Sequence, residues 1–267
     1  MGTLPHWGYG DRVTSRGNAH RTISTTLLRK RGFFRPSRGL QARVRRVASL
    51  TAAELDGMWT LFHGAYAGAT REAFARDLAE KHHVIVLKDE GGALQGFSTL
   101  LRLEVEGALV VFSGDTIVSP GFWGQTALQR AFIWYLMTQR HAQPGRAVYW
   151  FLITKGYRTY LLISRYFPNH WPRHEAPTPR AEVALLDTLC QAKFGAAWDA
   201  AAGLLRYAGK DAVRLADDLA HVPKRLEADP DVSFFLQRNP RWAEGDELCC
   251  LARADDDFVE KTTRIFL

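Results

Sequence analysis

The chain has 267 residues, 46% apolar, 24% charged and 12% aromatic, with a formal net charge of +7. That composition belongs to an ordinary globular protein and excludes a disordered, collagenous or disulfide-stapled one; the length fits one large domain or two small ones. Three cysteines, two of them adjacent (Cys249 and Cys250), make no disulfide framework and fit a reducing compartment, which reads as the cytoplasm.

The charge is unevenly spread. Residues 1–52 hold eleven Lys/Arg against one acid, Asp11, which leaves 24 basic against 27 acidic residues in the remainder. A basic, largely irregular arm over residues 1–40 therefore precedes a near-neutral body over 41–267. Such an arm suits an acidic partner, phosphate or a membrane surface, serves equally as a solubilising tail, and overlaps an organellar transit peptide in composition. Apart from Phe33 and Phe34 its arginines lack interleaved aromatics, which argues against specific nucleic-acid recognition. Apolar runs such as 131–137 and 148–153 fall far short of the roughly 20 residues of a membrane helix, so no transmembrane segment is expected.

In chain order, residues 40–47 read as a first strand, and Thr51 with Glu54 as the capping box of a helix carrying Leu55, Met58, Trp59, Phe62 and Tyr66. Thr70 opens a second helix over 71–81 that buries Phe74 and Leu78. Residues 83–88, 94–104 and 108–118 read as three antiparallel strands, the first two joined through Gly91-Gly92, and Pro120-Gly121 ends the third. A helix is predicted over 124–140, a strand over 148–154 and a helix over 157–167, stopped by Pro168. An excursion over 178–230 reads as two amphipathic helices, about 180–207 and 210–226, and residues 232–237 and 248–252 as short closing strands. The apolar side of that excursion, with Leu186, Cys190, Phe194 and Trp198, packs on the body, caps an acceptor cleft and so helps choose the acceptor, or offers a homodimer face. The adjacent Cys249 and Cys250 point to opposite faces of their strand.

The distinctive piece is the junction Thr116-Ile117-Val118-Ser119-Pro120-Gly121-Phe122-Trp123-Gly124-Gln125-Thr126-Ala127-Leu128, where a strand runs through a tight loop into a helix. It resembles motif A of the GCN5-related N-acetyltransferase (GNAT) superfamily, and the element order over about 42–168 is similar to that family's. The resemblance implies a mixed α/β fold, with a central, mostly antiparallel twisted sheet flanked by helices, here with a helical insertion before the last strands. It also implies acyl transfer from a thioester, acyl-CoA or acetyl-CoA, to an amine on a small molecule or peptide; beside His82 and His83 no second cluster stands at ligand spacing, so no metal is expected. The cofactor site carries over to Ile117, Val118, Trp123, Gly124, Gln125, Thr126 and Ala127, whose helix N-terminus supplies free amides for a pyrophosphate. Gly124 and Gln125 fit the common form of the loop; Trp123, Thr126 and Leu128 stand where the pattern has Arg or Gln, Gly and a small residue. An acyl carrier protein as donor, with the basic arm meeting an acidic carrier, accommodates those departures.

The tyrosine that protonates the leaving thiolate in the family corresponds to Tyr160, or in second place Tyr157; each also reads as an aromatic packed between helix and sheet. Asp115, a carboxylate inside an apolar run beside the expected cleft, reads as the general base or as a solvent-facing residue at a bulge next to Gly114. His82 and His83 read as edge histidines, and the His170 loop and the loop 239–247 as pocket linings or plain connectors. The competing functional class is a catalytically inactive GNAT-like scaffold that assembles through its apolar helix faces.

Overall fold

A computed structural model describes residues 39–105, 107–207, 214–215 and 221–266; the basic arm, but for Gly39 and Leu40, lies outside the described residues. Strand β1 (Gln41–Arg46) leads to helix α1 (Ala52–Ala65), the short strand β2 (Tyr66–Ala67) and helix α2 (Arg71–Ala79). The α1 start is the capping box expected, with Thr51 Oγ1 accepting from Glu54 N at 3.2 Å and Glu54 Oε2 accepting from Thr51 N at 3.0 Å. Then come β3 (His83–Lys88), β4 (Leu94–Val105), β5 (Ala108–Val118), helix α3 (Ala127–Ala142), β6 (Val148–Thr154) and helix α4 (Tyr157–Tyr166). The chain continues through β7 (His170–Trp171), α5 (Arg180–Phe194), β8 (Trp198–Asp199), β9 (Leu204–Leu205), β10 (Arg214–Leu215), α6 (Pro230–Arg238), β11 (Glu247–Arg253) and α7 (Asp256–Phe266).

The main sheet runs β1-β3-β4-β5-β6-β11-β9-β8, and every pairing along it is antiparallel except β5 with β6. This is the mixed, mostly antiparallel α/β plan expected. Helices α3, α4, α6 and α7 bury one face against Ile85, Leu109, Val111, Trp150, Leu152 and Cys250. On the other face α1 and α2 cover Val84, Val86, Phe97 and Ile117, while α5 covers Val110, Phe112, Phe151 and Cys249. Cys249 and Cys250 thus do point into opposite layers.

The second half departs from the sequence reading. The helix predicted over 180–207 ends at Phe194, because Gly195 turns the backbone to φ +52°, and the chain goes on into the β8–β9 hairpin. Trp198 is therefore off the helix face assigned to it, its indole donating to Asp187 Oδ1 at 2.6 Å. Within the segment read as a helix over 210–226, the described residues are β10, paired with β2, and a single helical turn at Lys224–Glu227; the rest lies outside the described residues. Residues 232–237, read as a strand, belong to α6. Asp229 caps it through Asp231 N and Val232 N, Pro230 takes the first turn, and Val232 and Phe235 fill the core at helical spacing. The helix expected from residue 124 begins at Ala127.

Two details of β4 and β5 set the centre of the molecule. Pairing passes from Ser98↔Thr116 to Leu100↔Ser113, so Gly114 and Asp115 together face the single residue Thr99. That bulge reverses the alternation of β5: Val111 and Ser113 lie on the α3/α4 side, yet Ile117 beyond the bulge packs under α1 and α2. Nearby, a Cβ on Gly96 would lie 2.6 Å from the Ile117 carbonyl oxygen, so only glycine lets the two strands approach this closely. Gly96→Ala is expected to destabilise the protein by about 1–3 kcal/mol, as overpacking typically does, measured by urea denaturation against the wild type.

Candidate functional site

The parallel ladder of β5 and β6 holds from Leu109↔Val148 to Ser113↔Leu152 and then stops, although β5 continues to Val118 and β6 to Thr154. Past Ser113 the strands part, and a cleft of about 580 Å³ opens between them. Its walls include Tyr66, Asp77, Glu80, Phe112 and Phe194 from the α1/α2/α5 layer, and Trp123, Tyr157, Arg158 and Thr159 from the α3/α4 side. The cleft therefore reaches through the sheet from one helical layer to the other.

Asp115 sits where the strands part. The bulge places it on the cleft wall, half-buried, and among the described residues it is the one cleft carboxylate with neither a hydrogen bond nor an ion pair. Asp77 pairs with Lys81, Glu80 with Lys193, and Glu247 with Lys155 in a close contact. Burial pushes the Asp115 carboxyl up to about 7, with Asp77 and Glu247 adding to the rise and Lys81 and Lys155 opposing it. Gly114 beside it makes room, since a Cβ there would meet Thr99 Oγ1 at 2.7 Å and Lys81 Cε at 3.1 Å. Tyr66, half-buried on the cleft wall, has its phenol pushed up by burial and by the Asp115 and Glu247 charges.

The two tyrosines separate. Tyr157 opens α4, lines the cleft, and donates a long hydrogen bond (3.4 Å) to His221 O. Tyr160, first in the sequence reading, is fully buried, donates to Pro172 O at 2.9 Å, packs against His170, Phe234 and Phe235, and does not line the cleft. Both lie on the buried face of α4, one turn apart; Tyr157, at the strand-proximal end, borders the cleft, and Tyr160, a turn further on, reaches Pro172 O instead.

The loop before α3 divides likewise. Ile117, Val118 and Trp123 line the cleft; Gly124, Gln125, Thr126 and Ala127 stand outside its lining. Trp123 Nε1 donates to Val118 O at 2.8 Å, and the Arg158 guanidinium lies 4.9 Å from the Trp123 ring centre. Gly124 adopts φ +83° with no atom within 4 Å of where a side chain would start. Gln125 turns back toward β1, its Nε2 lying 3.4 Å from a Cβ built on Gly39. Thr126 occupies the N-cap position without a side-chain cap, no acid stands in the first turn, and the first bond of the helix is Arg130 N to Thr126 O. The amides of Ala127, Leu128 and Gln129 thus have no intrahelical acceptor, at the positive end of a 16-residue helix.

Sequence reasoning missed Lys155, Lys193, Arg158, Tyr66 and Tyr207. These reach the cleft from separate elements, and nothing in their local pattern marks them. From the loop 239–247, Glu247 lines the cleft, while Asp246 is buried on Arg206 and the Tyr207 amide. The His170 loop packs into the fold, with His170 and Trp171 pairing to β11. His82 and His83 are half-buried; the His82 ring accepts from Arg102 N and the His83 ring meets the Tyr135 hydroxyl at 3.2 Å. Among the described residues, His174, Glu175 and Asp231 bring metal-capable atoms within 4.8 Å of one another, away from the cleft lining. No described helix is long and apolar enough to cross a membrane.

No family model and no curated protein matches the sequence. Among solved structures, an acyl-CoA N-acyltransferase from Pseudomonas aeruginosa aligns at 20% identity over 49% of this chain and 89% of its own, with a TM-score of 0.38. A GNAT-family N-acetyltransferase from Escherichia coli, solved with CoA, aligns at 18% over 45% of this chain and 65% of its own (TM-score 0.31). A Trypanosoma brucei acetyltransferase aligns at 18% over 53% and 97% (TM-score 0.34). At these identities and TM-scores the likeness carries no statement about activity. The fold itself is a mixed α/β one, with the one parallel pair of its main sheet parting at the centre of otherwise antiparallel strands.

The Asp115 carboxyl gives the stability of the protein a definite pH dependence. In the native state it keeps its proton to about pH 7, whereas in the unfolded chain it releases it near 3.8. Between those values the folded form binds more protons, so this residue's contribution falls as pH rises. Asp115→Asn is expected to flatten that fall, read as a variant-minus-wild-type difference in urea midpoint that grows between pH 4 and pH 8.

Proposed function

We propose that the protein is an N-acyltransferase that moves an acyl group from a CoA thioester, acetyl-CoA or a longer acyl-CoA, directly onto an amine, with an acyl carrier protein as the alternative donor. The observation that carries this reading is Asp115: an unpaired carboxylate titrating near neutrality, in a cleft that opens to both faces of the sheet. A base poised near the working pH is what removing a proton from an amine requires. Open access from two sides lets donor and acceptor meet without competing for one entrance.

The α3 N-terminus fits an anionic donor. Its uncapped amides, its acid-free first turn and the open Gly124 loop would hold phosphate, with Arg158 close by on α4. The bound donor supplies the activated acyl group as a thioester. Asp115 then takes the proton from the acceptor nitrogen, which frees its lone pair to attack. Amides at the splayed end of β5 and β6 line the path on which charge develops at the carbonyl oxygen. Tyr157, on the α4 side, gives its proton to the departing thiolate, and its weak bond to His221 O leaves the hydroxyl able to turn.

Two results test this. Acetyl-CoA is expected to bind saturably in calorimetric titration, and Thr126→Asp to weaken it at least tenfold. The same change should raise stability by about 0.5–1 kcal/mol, because the new carboxylate caps the amides the phosphate would use. Absence of binding by acetyl-, octanoyl- and palmitoyl-CoA alike would sink the CoA reading. For an amine that is turned over, kcat/KM should climb with pH to a plateau above about 7 as Asp115 ionises, and Asp115→Asn should lower kcat by about 10²–10⁴-fold. A pH profile unchanged in Asp115→Asn would remove that residue from the chemistry.

A further inference from the structure

On the α1/α2/α5 side of the cleft, two ammonium groups share one ring. Lys193 Nζ lies 5.0 Å from the Phe112 ring centre and 5.7 Å from that of Phe194, and Lys81 Nζ lies 5.9 Å from Phe112. Both side chains are largely withdrawn from water, at 16% and 0% exposure, yet their partners are not: Glu80 and Asp77 remain 58% and 43% exposed. Glu80 is moreover the C-cap of α2 and Asp77 lies in its last turn, the negative end of the helix, where a carboxylate is disfavoured. The cations are therefore poorly hydrated while the anions that pair with them stay hydrated, and of the two pairs Glu80–Lys193, at 3.3 Å, is the looser. A half-exposed pair such as Glu80–Lys193 is cheap to break, whereas a desolvated ammonium is costly to leave alone. That asymmetry suits a site where a ligand anion replaces Glu80.

Phe112 connects this spot to Asp115. Its ring comes within 3.6 Å of a Cβ built on Gly114, the residue beside Asp115, and both Phe112 and Lys193 line the cleft. The neighbouring walls are Phe62, Tyr66, Phe194 and Tyr207. We infer that the acceptor is an amine carrying a carboxylate, of the apolar or aromatic amino-acid class, whose carboxylate binds Lys193 in place of Glu80 while its amine faces Asp115. The inference rests on the acyltransferase reading and narrows its acceptor. Lys193 holds the anion through a charge-assisted hydrogen bond, Lys81 adds its field from beneath Phe112, and the rings take the side chain. Since α5 belongs to the excursion after the α4–β7 segment, that excursion selects the acceptor.

The test is equilibrium binding of two product-like probes, N-acetyl-L-phenylalanine and N-acetylphenethylamine, which differ by the carboxylate. Titrations use the full chain, Lys193→Met (which keeps an unbranched apolar stem) and Lys193→Arg. The carboxylated probe is expected to bind the wild type at least tenfold more tightly than its partner, Lys193→Met to erase that preference, and Lys193→Arg to retain most of it. Equal binding of the two probes, failure of both to bind, or a preference that survives Lys193→Met would each overturn the proposal. Acetyl-CoA is titrated into the same samples. Intact acetyl-CoA binding beside a failed probe result discards only the acceptor class, whereas loss of both discards the acyltransferase reading.

Discussion

The site depends on one interruption of hydrogen bonding: β5 and β6 stay paired through Ser113 and Leu152 and then separate. A parallel pair in an otherwise antiparallel sheet has no hairpin to close its far end, since the chain must leave β5 through α3 before returning along β6. The open end leaves strand termini and the bulge facing a cavity, and backbone groups that would have paired with each other are available to a ligand. Everything that gives the cleft its chemistry is arranged around that gap. Asp115 is presented by the bulge, Tyr157 by the turn after β6, and the uncapped α3 by the loop after β5.

The layers around the sheet explain why a carboxylate without a direct partner is tolerated there. Its neighbours on the α2 and β11 sides come as opposed charges, Asp77 with Lys81 and Glu247 with Lys155, so the cleft is polar without a dominant sign. Within it Asp115 feels its own burial more than any single neighbour, and so it titrates near neutrality instead of being held ionised by a salt bridge. A direct partner there would have made it a structural ion.

Much of the first half of the fold was legible from sequence because its signals are local. The β-branched runs at 83–88, 108–118 and 148–154 match their strands residue for residue, and Thr51 with Glu54 marks the start of α1. The second half failed where two signals competed. The alternation of Val232, Phe234 and Leu236 suggests a strand, but the Asp229-Pro230 start and the pairing of Val232 with Phe235 on one helical face decide for α6. At the candidate site, Asp115 stood out as an acid in an apolar run. The choice between Tyr157 and Tyr160 turned on which turn of one buried helix face borders the cleft, and Lys193 enters through contacts between elements more than a hundred residues apart, which no linear pattern encodes.

The gap also divides the sheet mechanically. One leaf is β1-β3-β4-β5, the other β6-β11-β9-β8, and between them the strand pairing is the short ladder from Leu109 to Ser113. A rotation of one leaf against the other about that ladder would change the width of the cleft without breaking a hydrogen bond inside either leaf. The ladder stands as the spine of a book, and its last rung is braced from the side: the Trp150 indole, packed beside Val111, donates to Ser113 Oγ where the strands part.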